Sequence, residues 1–394
     1  MFKKKTVFIL GAGASKPYRY PLGSDLIEQI IINIENDTVH LPRLTEDPSR
    51  PYYYNTNNGT KDENRYFFKD FKNGFKIIDV GNISTQNLTQ LFTATYLTST
   101  SFTPHSVELN QINEFFKFKE LLQQHDPVSI DNFLRDFPTY AEVGKIMIIY
   151  SLLKCEIKNY FYHNQNDGNW YSSLFNDLCS GLTDANDILK STCNFITFNY
   201  DISLDFYLCN RLNQTERFSA LGEKFIENSR IHHVYGTIHD ITKIGSYGHF
   251  ATPEPKCEDT LHNTKRFIYA LQNQQNIRTI DEERKGHDDR VQQLIKYADE
   301  IIIIGFGFDS NNLNILGFPC SLGEYFSSEM YQTNGLFYDK TIKWFNFMGE
   351  MTNVQRKFEA MSITVHPHAP RIIISKLNNI KKAYDNDFKE SLYG

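Results

Sequence analysis

The stretch TVFILGAGAS, Thr6 to Ser15, passes from apolar residues straight into small ones, and the fold of the chain is read outward from it. Val7, Phe8, Ile9 and Leu10 read as a buried strand, and Gly11-Ala12-Gly13-Ala14-Ser15 as the turn that leaves it. Three explanations of the turn compete. A dinucleotide fingerprint needs G-x-G-x-x-G, but Lys16 holds the sixth position, so the third glycine, which lets helix and strand pack closely, is absent. The ATPase loop G-x-x-x-x-G-K-[ST] fails too, because Lys16 stands where that pattern needs the glycine of its Gly-Lys pair. A signal peptide would use Lys3-Lys4-Lys5 as its charged region and Ala12-Gly13-Ala14 as its cleavage site. The apolar segment between them falls short of the roughly 7 to 15 residues such a leader needs. What survives is physical: glycines at a strand's carboxyl end let backbone N–H groups approach a pyrophosphate, and Ser15 adds a hydroxyl. The plainer reading of the same residues is a tight strand-to-loop turn.

Four more segments read as short strands: Asn194 to Phe198, Ile231 to Tyr235, Ile301 to Ile304 and Arg371 to Ile374. The run Ile301-Ile302-Ile303-Ile304 is apolar on both faces, as an interior strand of a parallel sheet is when helices cover both sides. Strand, turn and helix alternate, which predicts an α/β fold with a Rossmann-like open parallel sheet. The first helix is expected with Ser24 as N-cap and Leu26, Ile27, Ile30, Ile31 and Ile34 as its apolar stripe. The connection from Gly11 to Ser24 is long for a compact fold, and loops of that kind are often functional. Helices are also expected over Glu108 to Gln124, Ser129 to Phe137, Ala141 to Tyr162 and Trp170 to Leu182, and a hairpin near Phe75 to Val80. These patterns divide the chain into a sheet domain (1–39 and 190–320), a mainly helical insertion between the first two strands (40–189) and a mostly helical C-terminal extension (321–394) suited to oligomer or partner contact.

The bulk properties exclude several classes. A chain of 394 residues with 40% hydrophobic and 14% aromatic content buries a full core. Its 41 basic and 47 acidic residues leave a net charge of -6, which argues against nucleic acid bound through its own surface. No apolar run reaches the roughly 20 residues that span a bilayer, so a cytoplasmic chain is expected. Cys155, Cys179, Cys193, Cys209, Cys257 and Cys320 are scattered without a C-x-x-C pair, so no zinc or redox motif is written and no metal is expected.

Chemistry gathers where the strands end. Thr197-Phe198-Asn199-Tyr200-Asp201 places an amide and a carboxylate at a strand's carboxyl end, where an open α/β sheet keeps its ligand crevice. Asp201 also suits a helix cap near Ile202. In His232-His233-Val234-Tyr235-Gly236-Thr237, His233 and Tyr235 share one face of a strand, which makes His233 a base candidate, whereas His239 and Asp240 fall in the following loop. Gly305-Phe306-Gly307-Phe308-Asp309 repeats the glycine-rich exit after the isoleucines. Each motif is weak alone, but a crevice needs groups converging from several strands.

In this order the motifs resemble the landmarks of the sirtuin-like NAD-binding family, in particular bacterial antiphage members found beside a HerA-type hexameric ATPase. Ser129-Ile130-Asp131-Asn132-Phe133-Leu134, Gly144-Lys145 and His233-Val234-Tyr235-Gly236 match that branch. The resemblance runs over most of Thr6 to Leu316 and is slight over 40–105 and the tail. It implies that Gly11, Ala12, Gly13, Ala14 and Ser15, with Tyr235, Gly236, Gly305 and Gly307, hold NAD. It makes Asn199 and Asp201 the organisers of the nicotinamide ribose and His233 the general base. Deacetylating sirtuins carry histidine directly before the glycine, where this chain has Tyr235, so either His233 or Tyr235 faces the ribose. They also carry zinc-binding cysteine pairs absent here. The activity implied is an NAD hydrolase that releases nicotinamide and ADP-ribose and depletes NAD in infected cells, as a homo-oligomer working with the ATPase. The alternatives are a catalytically silent nucleotide sensor that scaffolds the ATPase, and an NAD-dependent deacylase or ADP-ribosyl transferase.

Overall fold

The computed structural model describes residues 2, 4–38, 104–156, 168–228, 230–241, 244, 270, 273–280, 282, 289–307, 309–317, 335–337, 339–345, 371–375, 377 and 379–388. Six strands are described: β1 (Thr6–Leu10), β2 (Cys193–Thr197), β3 (Ile231–His233), β4 (Glu300–Ile304), β5 (Thr341–Phe345) and β6 (Arg371–Ile374). They form one sheet in the order β3-β2-β1-β4-β5-β6, with every neighbouring pair parallel. Parallel neighbours require crossovers, and the order reverses between β1 and β4, so the fold is an open, Rossmann-like α/β sheet. The described helices are α1 (Ala12–Ser15), α2 (Gly23–Thr38), α3 (Pro104–His125), α4 (Ile130–Asp136), α5 (Ala141–Leu153), α6 (Trp170–Cys179), α7 (Ser203–Gln214), α8 (Gly222–Glu227), α9 (Arg290–Tyr297), α10 (Ser310–Leu316) and α11 (Ile380–Ala383).

The chain divides into two compact units. One, made of Met1–Leu22, Ile157–Ala251 and Asn276–Gly394, contains the sheet. All five residues of β1 and of β4 are buried, because helices leave neither strand a solvent face. Phe8 stacks on Phe195 at 5.1 Å and packs against Trp170 of α6 and Tyr384 just beyond α11, which places those helices over one face of the sheet. Burial of a large aromatic cluster of this kind contributes about 1.5–3 kcal/mol per side chain.

The other unit, made of Gly23–Glu156 and Thr252–Gln275, is helical over its described length. Ile30 and Ile34 of α2, Phe118 and Leu122 of α3, and Phe133 of α4 are buried. Phe118 meets Phe133 edge-on at 5.6 Å. The Ser129 hydroxyl accepts the Asn132 N–H at 3.2 Å and starts α4. A methyl on Gly144 would come within 2.5 Å of the Leu134 side chain, so glycine sets the approach of α5 to α4.

Several local expectations change. The Gly11 to Ser24 connection is not irregular: it contains α1 and a 3₁₀ turn over Lys16–Tyr18. Helix α2 begins at Gly23, so Ser24 lies inside its first turn. The unit boundaries also fall elsewhere: α2 belongs with α3, α4 and α5, whereas α6 belongs with the sheet. Residues 321–394 supply β5 and β6, and so complete the sheet. The helix expected to Tyr162 ends at Leu153, where Lys154 and Cys155 form a turn, and the hairpin expected at 75–80 lies outside the described residues.

Candidate active site

The reversal of strand order between β1 and β4 puts the loops that leave these two strands side by side. Their contact is backbone against backbone. Gly11 N donates to Ile304 O and Gly13 N to Gly305 O, both at 3.0 Å, and Ala14 N turns back to Gly11 O at 2.9 Å. A Cβ on Gly13 would stand 2.6 Å from Gly305 Cα. One on Gly305, whose φ is +59°, would stand 2.3 Å from Ala14 N. These glycines are required because the two loops touch, which is the tight-turn reading of the opening motif. Ala12 is half-buried, and Gly307 is exposed with open space where a side chain would be, so the rim of the crevice opens there.

Behind the glycines lies a buried polar network. Asn199 Nδ2 donates to Gly11 O at 3.0 Å and to Ser15 Oγ at 3.1 Å, which fixes the orientation of its amide. Ser15 Oγ donates to Asp201 Oδ1 at 3.2 Å and lies 3.3 Å from Ser203 Oγ. The Ser203 N–H also reaches Asp201 Oδ1, at 3.0 Å, a turn that leads into α7, whose N-cap is Ile202. Tyr171 OH pairs with Ser203 Oγ at 2.8 Å, and Trp170 Nε1 donates to Ala14 O at 2.9 Å. Burial raises the Asp201 carboxyl above its ordinary range, although Ser203, Ser15 and the His233 charge pull the other way. Burial, with the Asp201 charge behind it, holds the Tyr171 hydroxyl firmly in its protonated form.

Strand β3 ends at His233, two residues earlier than its apolar pattern predicts, because Val234 and Tyr235 turn into Gly236. The His233 side chain is 4% exposed and the facing Asp205 side chain 1%. Nδ1 lies 3.2 Å from the Asn199 carbonyl oxygen and Nε2 3.1 Å from Asp205 Oδ2. A carbonyl only accepts, so Nδ1 carries a proton; Nε2 faces a carboxylate, so a proton lies between those atoms as well. Burial opposes a charged ring, but Asp205, the Asn199 carbonyl and Asp201 outweigh it and raise the imidazole above its ordinary value. In this arrangement both ring nitrogens face an acceptor, Asn199 O and Asp205 Oδ2.

Tyr235, the other residue expected near the ribose, is 2% exposed, and its hydroxyl donates to Asn312 Oδ1. Its ring packs with Phe198 at 5.9 Å and Tyr200 at 6.2 Å, and Phe198 packs with Phe306 at 5.0 Å, an aromatic layer beneath the crevice. Gly236 has φ +79°, and a Cβ there would overlap the Asn276 carbonyl. The segment Asn276–Arg278 lies against this turn: Thr237 N donates to Asn276 O at 3.2 Å and Arg278 N to Tyr235 O at 2.8 Å.

The structure thus brings Gly11, Gly13, Ala14, Ser15, Asn199, Asp201, His233 and Gly305 into one bonded cluster at the carboxyl ends of β1, β2, β3 and β4. Tyr235 and Gly236 form the neighbouring turn. Sequence reasoning missed Tyr171, Ser203, Asp205 and Asn312. Only Asp205 carries a local signal, an acid in the first turn of a helix, and that signal is generic. Among the described residues no group of three or more His, Cys, Asp or Glu could hold a metal ion, and no helix is long and apolar enough to cross a membrane. Compared with protein-family models, with curated proteins and with solved structures, the chain matches none.

Proposed function

We propose that the chain is an NAD hydrolase that breaks the bond between nicotinamide and ribose. The observation that carries the reading is the convergence, where the strand order reverses, of a glycine-rich turn with a buried amide and an excess of buried carboxylate. Ligands of open α/β sheets bind outside the carboxyl ends of the strands at such a reversal. Nicotinamide leaves NAD as a neutral molecule: the C1′–N bond breaks, its electron pair goes to the ring nitrogen, and the ribose becomes an oxocarbenium-like cation. That cation is stabilised by a fixed negative charge beside it and quenched by water, as in glycoside hydrolysis. In this reading Asp201 supplies the charge and accepts the water proton, and Asn199 orients the ribose and the water. The loop at Ala12 meets the phosphates.

Motif order alone supports the wider setting: antiphage defence by NAD depletion, a homo-oligomer and a HerA-type ATPase as partner. A second reading is favoured by how tightly the site is closed. Asn199 and Asp201 are each less than a tenth exposed, and the amides of Gly11, Gly13 and Ala14 already donate to backbone carbonyls. A catalytically silent nucleotide sensor would look the same. Purified protein incubated with NAD, alone and with the ATPase, separates the two. Nicotinamide release, lost in Asn199→Ala, is the expected result. Binding of NAD or ADP-ribose without product establishes the sensor instead.

A further inference from the structure

We infer that Asp205 is a positioning residue that keeps His233 doubly protonated, so that His233 serves the site as a fixed hydrogen-bond donor to the Asn199 main chain and not as its proton acceptor. For catalysis the inference rests on the hydrolase reading; for the state of the ring it does not.

The argument starts from two acceptors. The Asn199 carbonyl oxygen and the Asp205 carboxylate stand at opposite nitrogens of one buried ring, at 3.2 and 3.1 Å. Neither brings a proton of its own in its ordinary state, so the ring must bring both. Asp205 is set for this by α7: the Asp201 carboxylate and the Ser203 amide start the helix, and Asp205 follows within its first turn on a side that meets β3. Its other oxygen, Oδ1, is buried and has no hydrogen-bond partner among the described residues.

The titratable groups facing the ring are Asp205 from α7 and Asp201 from the turn before it, with Tyr171 of α6 bearing on both carboxylates. Two carboxylates against one imidazolium leave an excess of negative charge, the sign that favours a cation forming on a ribose. Through Nδ1 the ring also pins the main chain of Asn199, whose side chain holds Ser15 and Gly11. Asp205 therefore acts on Asn199 through His233 without touching substrate.

Imidazole ¹³C and ¹⁵N resonances of His233, recorded from pH 5 to 9 in wild type and in Asp205→Asn, test the inference. The ring is expected to stay doubly protonated through neutral pH in wild type. In Asp205→Asn, whose amide can donate to Nε2, the midpoint is expected to fall by about one to three pH units. A wild-type ring that is singly protonated at pH 7, or a variant with an unchanged midpoint, overturns the inference. If Asp205→Asn does not fold, the wild-type titration decides alone. Where nicotinamide release is measurable, kcat in wild type should not rise along the His233 titration, and in Asp205→Asn it should fall as the ring deprotonates. A rate that rises as His233 loses its proton overturns the inference and restores the base. Absence of nicotinamide release sinks the hydrolase reading, and the resonances still decide the state of the ring.

Discussion

The two ends of the sheet bury charge in opposite ways. At the amino end Lys343 of β5 meets Glu300 of β4 at 2.9 Å, with both side chains fully buried, and its ammonium also donates to Phe388 O at 2.6 Å. The pair bridges neighbouring strands, and Lys4 and Arg371 also bear on the Lys343 charge. At the carboxyl ends Asp205 pairs with the His233 imidazole and the Asp201 charge also bears on it. The balanced pair ties β5 and the C-terminal segment to the sheet. The Lys343–Glu300 pair thus joins strands within the sheet, and the carboxyl groups beside His233 lie at the proposed site.

The largest effect should come from unbalancing the balanced end. Lys343→Met removes the buried ammonium that faces Glu300 and should destabilise the fold by about 3–5 kcal/mol, read from urea unfolding. Burial pulls the Lys343 ammonium below its ordinary value even beside Glu300. Removing both charges, Lys343→Met with Glu300→Gln, should therefore recover most of the loss, with turnover of the folded protein unchanged. A silent single variant would break the contrast.

The next effect sharpens it at the other end. Asp201→Asn should lower nicotinamide release by about 10²–10³, the scale of a lost transition-state partner, and yet raise the melting temperature at neutral pH. The sign follows from burial, which raises the carboxyl of Asp201. Its stabilising contribution is complete below the ordinary carboxylate pKa and fades as pH rises through the raised one. Wild type should lose stability across that window and the variant should not. The raised imidazole of His233 has the same slope in a higher window, lost as pH climbs through its folded pKa, so melting curves in Asp201→Asn should still decline there.

Smaller effects test contacts without charge. Gly13→Ala forces the β1 and β4 loops apart and should destabilise by about 1–3 kcal/mol, read by thermal unfolding. Tyr235→Phe removes the bond to Asn312 and should lower stability by about 0.5–1.5 kcal/mol. If Tyr235→Phe proved as damaging as Lys343→Met, polar contact in general, and not charge balance, would distinguish the two ends.

The same contrast explains what the chain discloses before folding. Strands β1 and β4 are legible because their central residues are apolar on both faces and β2 because of its Phe195 and Ile196, and the ends of those strands are legible because glycine, Asn199 and Asp201 interrupt the pattern. Strand β5 escaped notice because Lys343 sits in its middle, and a lysine in TIKWF reads as a solvent-facing position until Glu300 is seen beside it. Asp205, Tyr171 and Asn312 were illegible for a related reason. Their roles depend on β3, on the β2–α7 turn and on Tyr235, partners that only the crossovers deliver. The aromatic layer of Phe198, Tyr200, Tyr235 and Phe306 hid in plain composition, since nothing local separates it from ordinary core.

The meeting of Gly11 and Gly13 with Gly305 has a mechanical consequence. Because each missing side chain is replaced by the other loop's backbone, neither loop can swing outward alone without breaking the Gly11–Ile304 and Gly13–Gly305 hydrogen bonds. The loops after β1 and β4 are geared like the halves of a clasp, and any molecule that prises one open must carry the other with it.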